Sequence, residues 1–325
     1  MPNKRDNNNN EIRKVVVVTG SGKNIGKAIA IEFGKAGYCV MINDFEQEEK
    51  LKSTAREISQ TIGDDSYNRV AYVVGDISEE QISISLIEET IKRFGRIDVL
   101  INNAAIAEKK AAAKKSSNET ISTTTTTADN ASYKQLSPYF TLEEYELADV
   151  SLKGSYLCIR EAAKRMVTSN DIKEDEGATT GRGGGIYSIN NISASYDSIP
   201  KPEADAYTSS MSGVDPFTSS RAEVKTLTKT VAFQLAEKGI RVNAIAPGLI
   251  VTDSNKPLLE NEEKRKKKEK EVPFHRVGQP EEIAKIALFL ASDDASYITG
   301  SMIYADGGLS LPRHNYFIES EIEQD

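Results

Sequence analysis

The chain has 325 residues, 28% of them charged, with 41 basic against 49 acidic side chains and a net charge of −8. That balance supplies no cationic field for a nucleic acid. Two cysteines, Cys39 and Cys158, exclude a disulfide framework, and His275 and His314 lie too far apart in sequence to build a His-rich metal site. No apolar run is long enough to span a bilayer, and the Asn-rich segment 1–11 lacks the apolar core of a signal peptide, so the expectation is a soluble, cytoplasmic protein.

The hydrophobic fraction, 38%, is low for a compact body, but the deficit is local. Five polar stretches, 1–11, 107–137, 169–182, 255–271 and 312–325, are only about 21% hydrophobic, and the remainder reaches about 45%. The organisation predicted is therefore an N-terminal tail (1–11), one α/β domain (12–311) and a C-terminal tail (312–325). The domain carries polar insertions near 107–137 and 169–182. It also carries a charged loop at 255–271, read either as a solvated helix face or as a lid over substrate. The Thr run Thr123–Thr127 makes 107–137 a surface insertion.

In chain order, Val15–Val18 is a β-branched run that suits a strand buried on both faces, followed by helical spacing through Ile25, Ala28, Ile29 and Phe33. Further strands are predicted at Tyr38–Ile42, Arg69–Val74, Ile97–Ile101, Ile186–Ile189, Ile240–Ile245 and Ser301–Tyr304. Helices are predicted at 82–94, 142–166, 215–236 and 281–291. Strands alternating with helices imply a Rossmann-type, doubly wound parallel sheet of about seven strands with helices on both faces.

Between the first strand and helix lies Thr19-Gly20-Ser21-Gly22-Lys23-Asn24-Ile25-Gly26. Small residues there let the backbone approach a pyrophosphate, which a helix N-terminus attracts. Asp44 follows 18 residues after Gly26, where a carboxylate accepts hydrogen bonds from an adenosine ribose and repels the 2′-phosphate of NADP. Lys23 partly offsets that repulsion. NAD is the expected cofactor, with NADP as the alternative.

With the ordered motifs Asp76 after the third strand, Asn102-Asn103-Ala104-Ala105, Ile240-Arg241-Val242-Asn243, Pro247-Gly248-Leu249-Ile250-Val251-Thr252 and Asp306-Gly307-Gly308, the chain resembles a short-chain dehydrogenase/reductase of the single-domain type, from about Lys14 to Leu311. The resemblance implies that Gly20, Ser21, Lys23, Asn24, Ile25 and Gly26 surround the pyrophosphate. Asp76 and Ile77 would sit by the adenine, and Asn102, Asn103 and Ala104 would line the cofactor floor. Pro247, Gly248, Ile250 and Thr252 would hold the nicotinamide carboxamide. Asn24 stands where the family has its middle Gly, and Asn tolerates left-handed backbone better than other non-Gly residues. Ala105 replaces the last Gly of the second motif.

The family moves a hydride between nicotinamide and a carbonyl or secondary alcohol, using a Tyr acid/base, a Lys one helical turn later, a Ser and an Asn. Here those positions are altered. Counting back from Leu227-Thr228 and Ile240 puts Phe217 at the Tyr and Arg221 at the Lys, and Asp215-Pro216 is a suitable helix start. Phe cannot move a proton. Arg keeps a charge that can bind the nicotinamide ribose, but its shape and pKa differ from those of Lys. Ser151 stands where the family has Asn. At the Ser position one register places Asn191 and another Ala194, the first being favoured by Gly184. Tyr207, ten residues before Phe217, is either an ordinary loop Tyr or a hydroxyl folded back toward Arg221. Two functions stay open: an NAD(P)-linked oxidoreductase with a degenerate acid/base set, or an NAD-holding homologue with a regulatory or assembly role. The resemblance also implies a homodimer or homotetramer, and a small-molecule substrate if the chain is active.

Overall fold

The computed structural model describes residues 13–45, 48–63, 68–104, 142–174, 187–194 and 216–311, with 142–151, 169–174 and 216–223 described as backbone only. The predicted Ala105, the insertion 107–137, Tyr207 and both tails lie outside these residues.

Seven parallel strands form one sheet: β1 (Val15–Val18), β2 (Cys39–Asp44), β3 (Val70–Val74), β4 (Val99–Asn102), β5 (Tyr187–Ile192), β6 (Ile240–Pro247) and β7 (Met302–Ala305), in the order β3-β2-β1-β4-β5-β6-β7. β1, all Val, is wholly buried, as a central strand covered on both faces requires. One face is covered by α1 (Asn24–Lys35), α2 (Glu48–Thr61) and α8 (Pro280–Ala291), packed through Ile29, Phe33, Leu51, Ile58 and Leu290. The other is covered by α3 (Glu80–Phe94), α4 (Leu142–Glu174) and α5 (Pro216–Ala236), packed through Leu86, Cys158, Met166 and Val231. The expected doubly wound architecture is therefore present, and the order reverses between β1 and β4, which opens a crevice at the carboxyl edge.

Several boundaries differ from those predicted. β5 is longer than Ile186–Ile189 because Asn190, Asn191 and Ile192 continue to pair with β6. Although its sequence is polar, α4 runs to Glu174, into the stretch predicted as an insertion at 169–182. α2 was not predicted, yet Leu51, Ala55 and Ile58 sit at helical spacing and are buried.

The charged segment 255–271 is helical rather than a loop, with α6 (Lys256–Leu259) followed by α7 (Glu262–Glu271). α7 has no buried residue and no amphipathic pattern. Its support is local: Asn261 Oδ1 accepts from the Lys264 N–H, and Glu262–Lys266 and Arg265–Glu269 pair across one turn.

Candidate functional site

Parallel strands deliver their carboxyl ends to one edge, so residues far apart in sequence meet there. The turn after β1 is fastened from three sides. Thr19 Oγ1 accepts from the N–H groups of Asn103 (3.0 Å) and Ala104 (3.1 Å). The Asn103 amide donates back to the carbonyls of Thr19 (3.1 Å) and Gly20 (2.8 Å). Ser21 Oγ donates to the Val18 carbonyl and accepts from the Asn43 N–H, which ties the turn to β2.

The glycines of this turn are required by space. A Cβ on Gly20, whose φ is +60°, would come within 2.6 Å of Ala104 Cα, and one on Gly26 would lie 2.3 Å from the Gly20 carbonyl oxygen. Gly22 faces Asp44: its N–H donates to Asp44 Oδ2 (3.0 Å), and a Cβ there would meet the same oxygen at 2.7 Å. Asp44 Oδ1 accepts from the Phe45 N–H, so a nearly buried carboxylate sits beside the turn with lone pairs to spare. The cradle has the small residues, helix N-terminus and carboxylate that a dinucleotide requires.

Asn24 opens α1 with φ +50°, so the left-handed conformation anticipated for the Gly substitution is adopted. Lys23 is exposed at the N-cap position, Ile25 is partly buried, and Asn24 Oδ1 accepts from the Asp253 N–H (3.2 Å). Asp76 follows β3, its Oδ1 accepting from the Ser78 N–H. Ile77's side chain is taken up by the core against Gly154 of α4.

Pro247 ends β6, and Gly248 packs against Asp306, where a Cβ would lie 2.6 Å from Asp306 Cα. The motif Asp306-Gly307-Gly308 thus buttresses the turn after β6. Ile250 is buried and forms a bridge with Gly278, and Thr252 is partly buried where its carbonyl accepts from Asn255 and Lys256.

At the other end of the crevice, strand pairing sets Asn191 opposite Asn102, with Ala194 beyond the end of β5. Asn191 is 1% exposed and hydrogen-bonded at both ends of its amide. Its Oδ1 accepts from Asn102 Nδ2 (2.9 Å), and its Nδ2 donates to Thr228 Oγ1 (2.9 Å), which donates on to the Val224 carbonyl (2.7 Å). A chain of hydrogen bonds therefore runs from β4 through β5 into α5. The sequence used Thr228 only to set register, and a buried Thr mid-helix was the available signal for its second role. Asn102 Oδ1 is buried with no hydrogen-bond partner among the described residues. α5 begins at Pro216, as its sequence predicts, which puts Phe217 in its first turn and Arg221 one turn later; Ser151 lies within α4. Tyr207 lies outside the described residues, so no distance to Arg221 is defined.

Burial pushes the Cys158 thiol up to about 12, and the Arg276 guanidinium together with the Gln279 N–H draws Glu282 down to about 2. Among the described residues no group of three or more His, Cys, Asp or Glu side chains is placed to hold a metal, and no helix is long and apolar enough to cross a membrane.

Comparison with known proteins agrees with the geometry. A family profile described as enoyl-(acyl carrier protein) reductase matches residues 20–135 and 203–310. Glucose 1-dehydrogenase 2 of Bacillus subtilis (strain 168) is 32% identical over 299 residues, covering 92% of this chain and 95% of that protein. Two solved structures align over nearly the full length. One is a gluconate 5-dehydrogenase from Burkholderia cenocepacia J2315 in complex with NADP and tartrate (TM-score 0.67, 26% identity, 92% of this chain and 95% of that one). The other is a short-chain type dehydrogenase/reductase from Mycobacterium marinum (TM-score 0.68, 26% identity, 93% and 97%). With the doubly wound sheet, the tight glycine turn and these matches in hand, the chain belongs to the short-chain dehydrogenase/reductase family of oxidoreductases.

Proposed function

We propose that this chain binds NAD across the carboxyl edge of β1 to β4 and β6, and acts as a slow oxidoreductase on a carbonyl or secondary alcohol through a depleted acid/base set. The observation that carries the reading is the contrast in that edge. The Gly20–Gly26 turn and Asp44 make a tight cradle, while Asn191, at the place assigned to a substrate-orienting Ser, has its amide engaged by Asn102 and Thr228.

In this reading Gly20, Ser21, Lys23, Asn24, Ile25 and Gly26 surround the pyrophosphate, and Asp44 accepts from the adenosine ribose. Asp76 and the Ile77 backbone flank the adenine, and Asn102, Asn103 and Ala104 form the floor. Arg221, Pro247, Gly248, Ile250 and Thr252 hold the nicotinamide half. The cofactor supplies the hydride; the chain orients it and must hold or move a proton. Phe217 cannot do the latter, and Ser151 and Arg221 supply different donors from the family's Asn and Lys. Loss of a general acid/base lowers rates by about 10²–10⁴-fold. Tyr207 is a phenol ten residues before Phe217: in an active preparation, Tyr207→Phe abolishes turnover if its hydroxyl serves, and unchanged turnover assigns the proton elsewhere.

The engaged Asn191 also favours a second reading, a cofactor-holding homologue with a regulatory or assembly role. Titrating NADH and NADPH by fluorescence, then assaying a panel of ketones and sugars, separates the two. Turnover supports the first reading, binding without turnover supports the second, and no binding refutes both. The family resemblance further implies a homo-oligomer, which light scattering would test.

A further inference from the structure

We infer that Asn24 is a latch across the mouth of the cofactor crevice, a positioning residue that slows cofactor release. This rests on the cofactor assignment above. Asn24 and His275 are the non-glycine residues with positive φ among those described, and Asn24 stands at the first residue of α1, in the middle of the glycine turn. A left-handed position strains an L-residue in a way that glycine avoids. The strain at Asn24 is accompanied by a contact that glycine could not make. Its Oδ1 accepts from the backbone N–H of Asp253, 229 residues away.

The two ends of this bond belong to different halves of the crevice. Asn24 sits on the turn assigned to the pyrophosphate, and Asp253 directly follows Thr252, on the segment assigned to the nicotinamide. That segment is already held to Gly278 and within itself. Val251 donates to the Gly278 carbonyl (2.9 Å), Gly278 donates to the Leu249 carbonyl (2.9 Å), and the Asn255 amide donates to the Ile250 carbonyl (2.8 Å). The Asn24 bond supplies a tie on the crevice side, and it lies at the solvent-exposed rim, where Asp253 is exposed. A bond in this place is strong enough to hold the two lips together and weak enough to break on each release.

The discriminating variant is Asn24→Gly. It removes the acceptor while relieving the left-handed strain, so the melting temperature should not fall. Dissociation of NADH, followed by stopped-flow fluorescence, is expected to accelerate about three- to tenfold. Hydrogen exchange of the peptide spanning 249–256 should accelerate with it. Asp253→Asn keeps the backbone donor and changes only the side-chain charge, so it should release NADH at the parent rate. The latch is refuted if Asn24→Gly leaves the dissociation rate unchanged while NADH still binds, or if Asp253→Asn accelerates release as much. If the parent chain binds neither NADH nor NADPH, the cofactor assignment and the latch fall together.

Discussion

The crevice over β1 to β4 and the start of α5 stand on the same sheet edge, but they have fared differently. In the crevice, function and packing ask for the same residues. Gly20 and Gly26 are needed for space, Thr19 and Asn103 fasten the turn, and Asp44 closes on Gly22. A substitution there injures the fold as well as the site. At α5 the family's acid/base chemistry is assigned to Phe217 and Arg221, on a helix that begins at Pro216. Asn191, assigned to the same chemistry, is hydrogen-bonded to Asn102 of β4 and Thr228 of α5. Backbone-based binding is tied to folding stability, whereas an acid/base side chain can be exchanged while the backbone around it stays.

Restoring the second region is the strongest challenge to this contrast. Phe217→Tyr with Arg221→Lys, and Asn191→Ser added, is expected to raise turnover about 100-fold on a substrate that the parent handles slowly, measured as NADH consumption. No gain in a folded triple variant would mean that these positions do not face substrate. In the first region, Gly26→Ala forces a Cβ against the Gly20 carbonyl. It should destabilise the protein by about 1–3 kcal/mol in a urea titration and abolish measurable NADH binding, so retention of tight binding would break the comparison from the other side.

Asp44→Ala is milder. The parent should prefer NADH over NADPH by about tenfold, close to 1.4 kcal/mol, and the variant should lose that preference, as read by parallel titrations. Thr228→Val leaves the buried Asn191 amide without its acceptor. It should lower stability by about 1–3 kcal/mol while NADH affinity stays near the parent value, which sharpens the distinction between bridge and cradle.

The smallest effect concerns Glu282, in the first turn of α8. Its folded pKa, drawn down to about 2 by Arg276 and the Gln279 N–H, lies below its unfolded value of about 4.3. Its contribution is therefore present above pH ~4.3 and lost as the pH falls toward 2. Because the pair is solvent-exposed, Glu282→Gln should shift the acid limb of the stability curve only slightly.

How much of this was readable in advance follows physical lines. The β-branched runs and their turn residues disclosed all seven strands and their alternation with helices, because burial on two faces writes itself into composition. α7 carries no apolar period, because its helix is held by i,i+4 ion pairs and a cap, and so its bounds are not legible in the sequence. α2 carries the period in its buried Leu51, Ala55 and Ile58, set in an otherwise polar segment that masks it. The cradle residues were legible because a glycine turn between strand and helix is a local pattern.

By itself, the sequence determined the architecture and the glycine turn with Asp44, since both depend on local periodicity and spacing; that Phe217 and Arg221 stand where the family has Tyr and Lys is what the resemblance implies. Only the tertiary structure decided that Asn191 rather than Ala194 stands opposite Asn102, that Thr228 completes the chain from β4 to α5, and that Asn24 reaches Asp253. Those contacts join residues 37 to 229 positions apart. They arise where parallel strands bring their ends together, and no local pattern in the chain records which distant partner a side chain will meet.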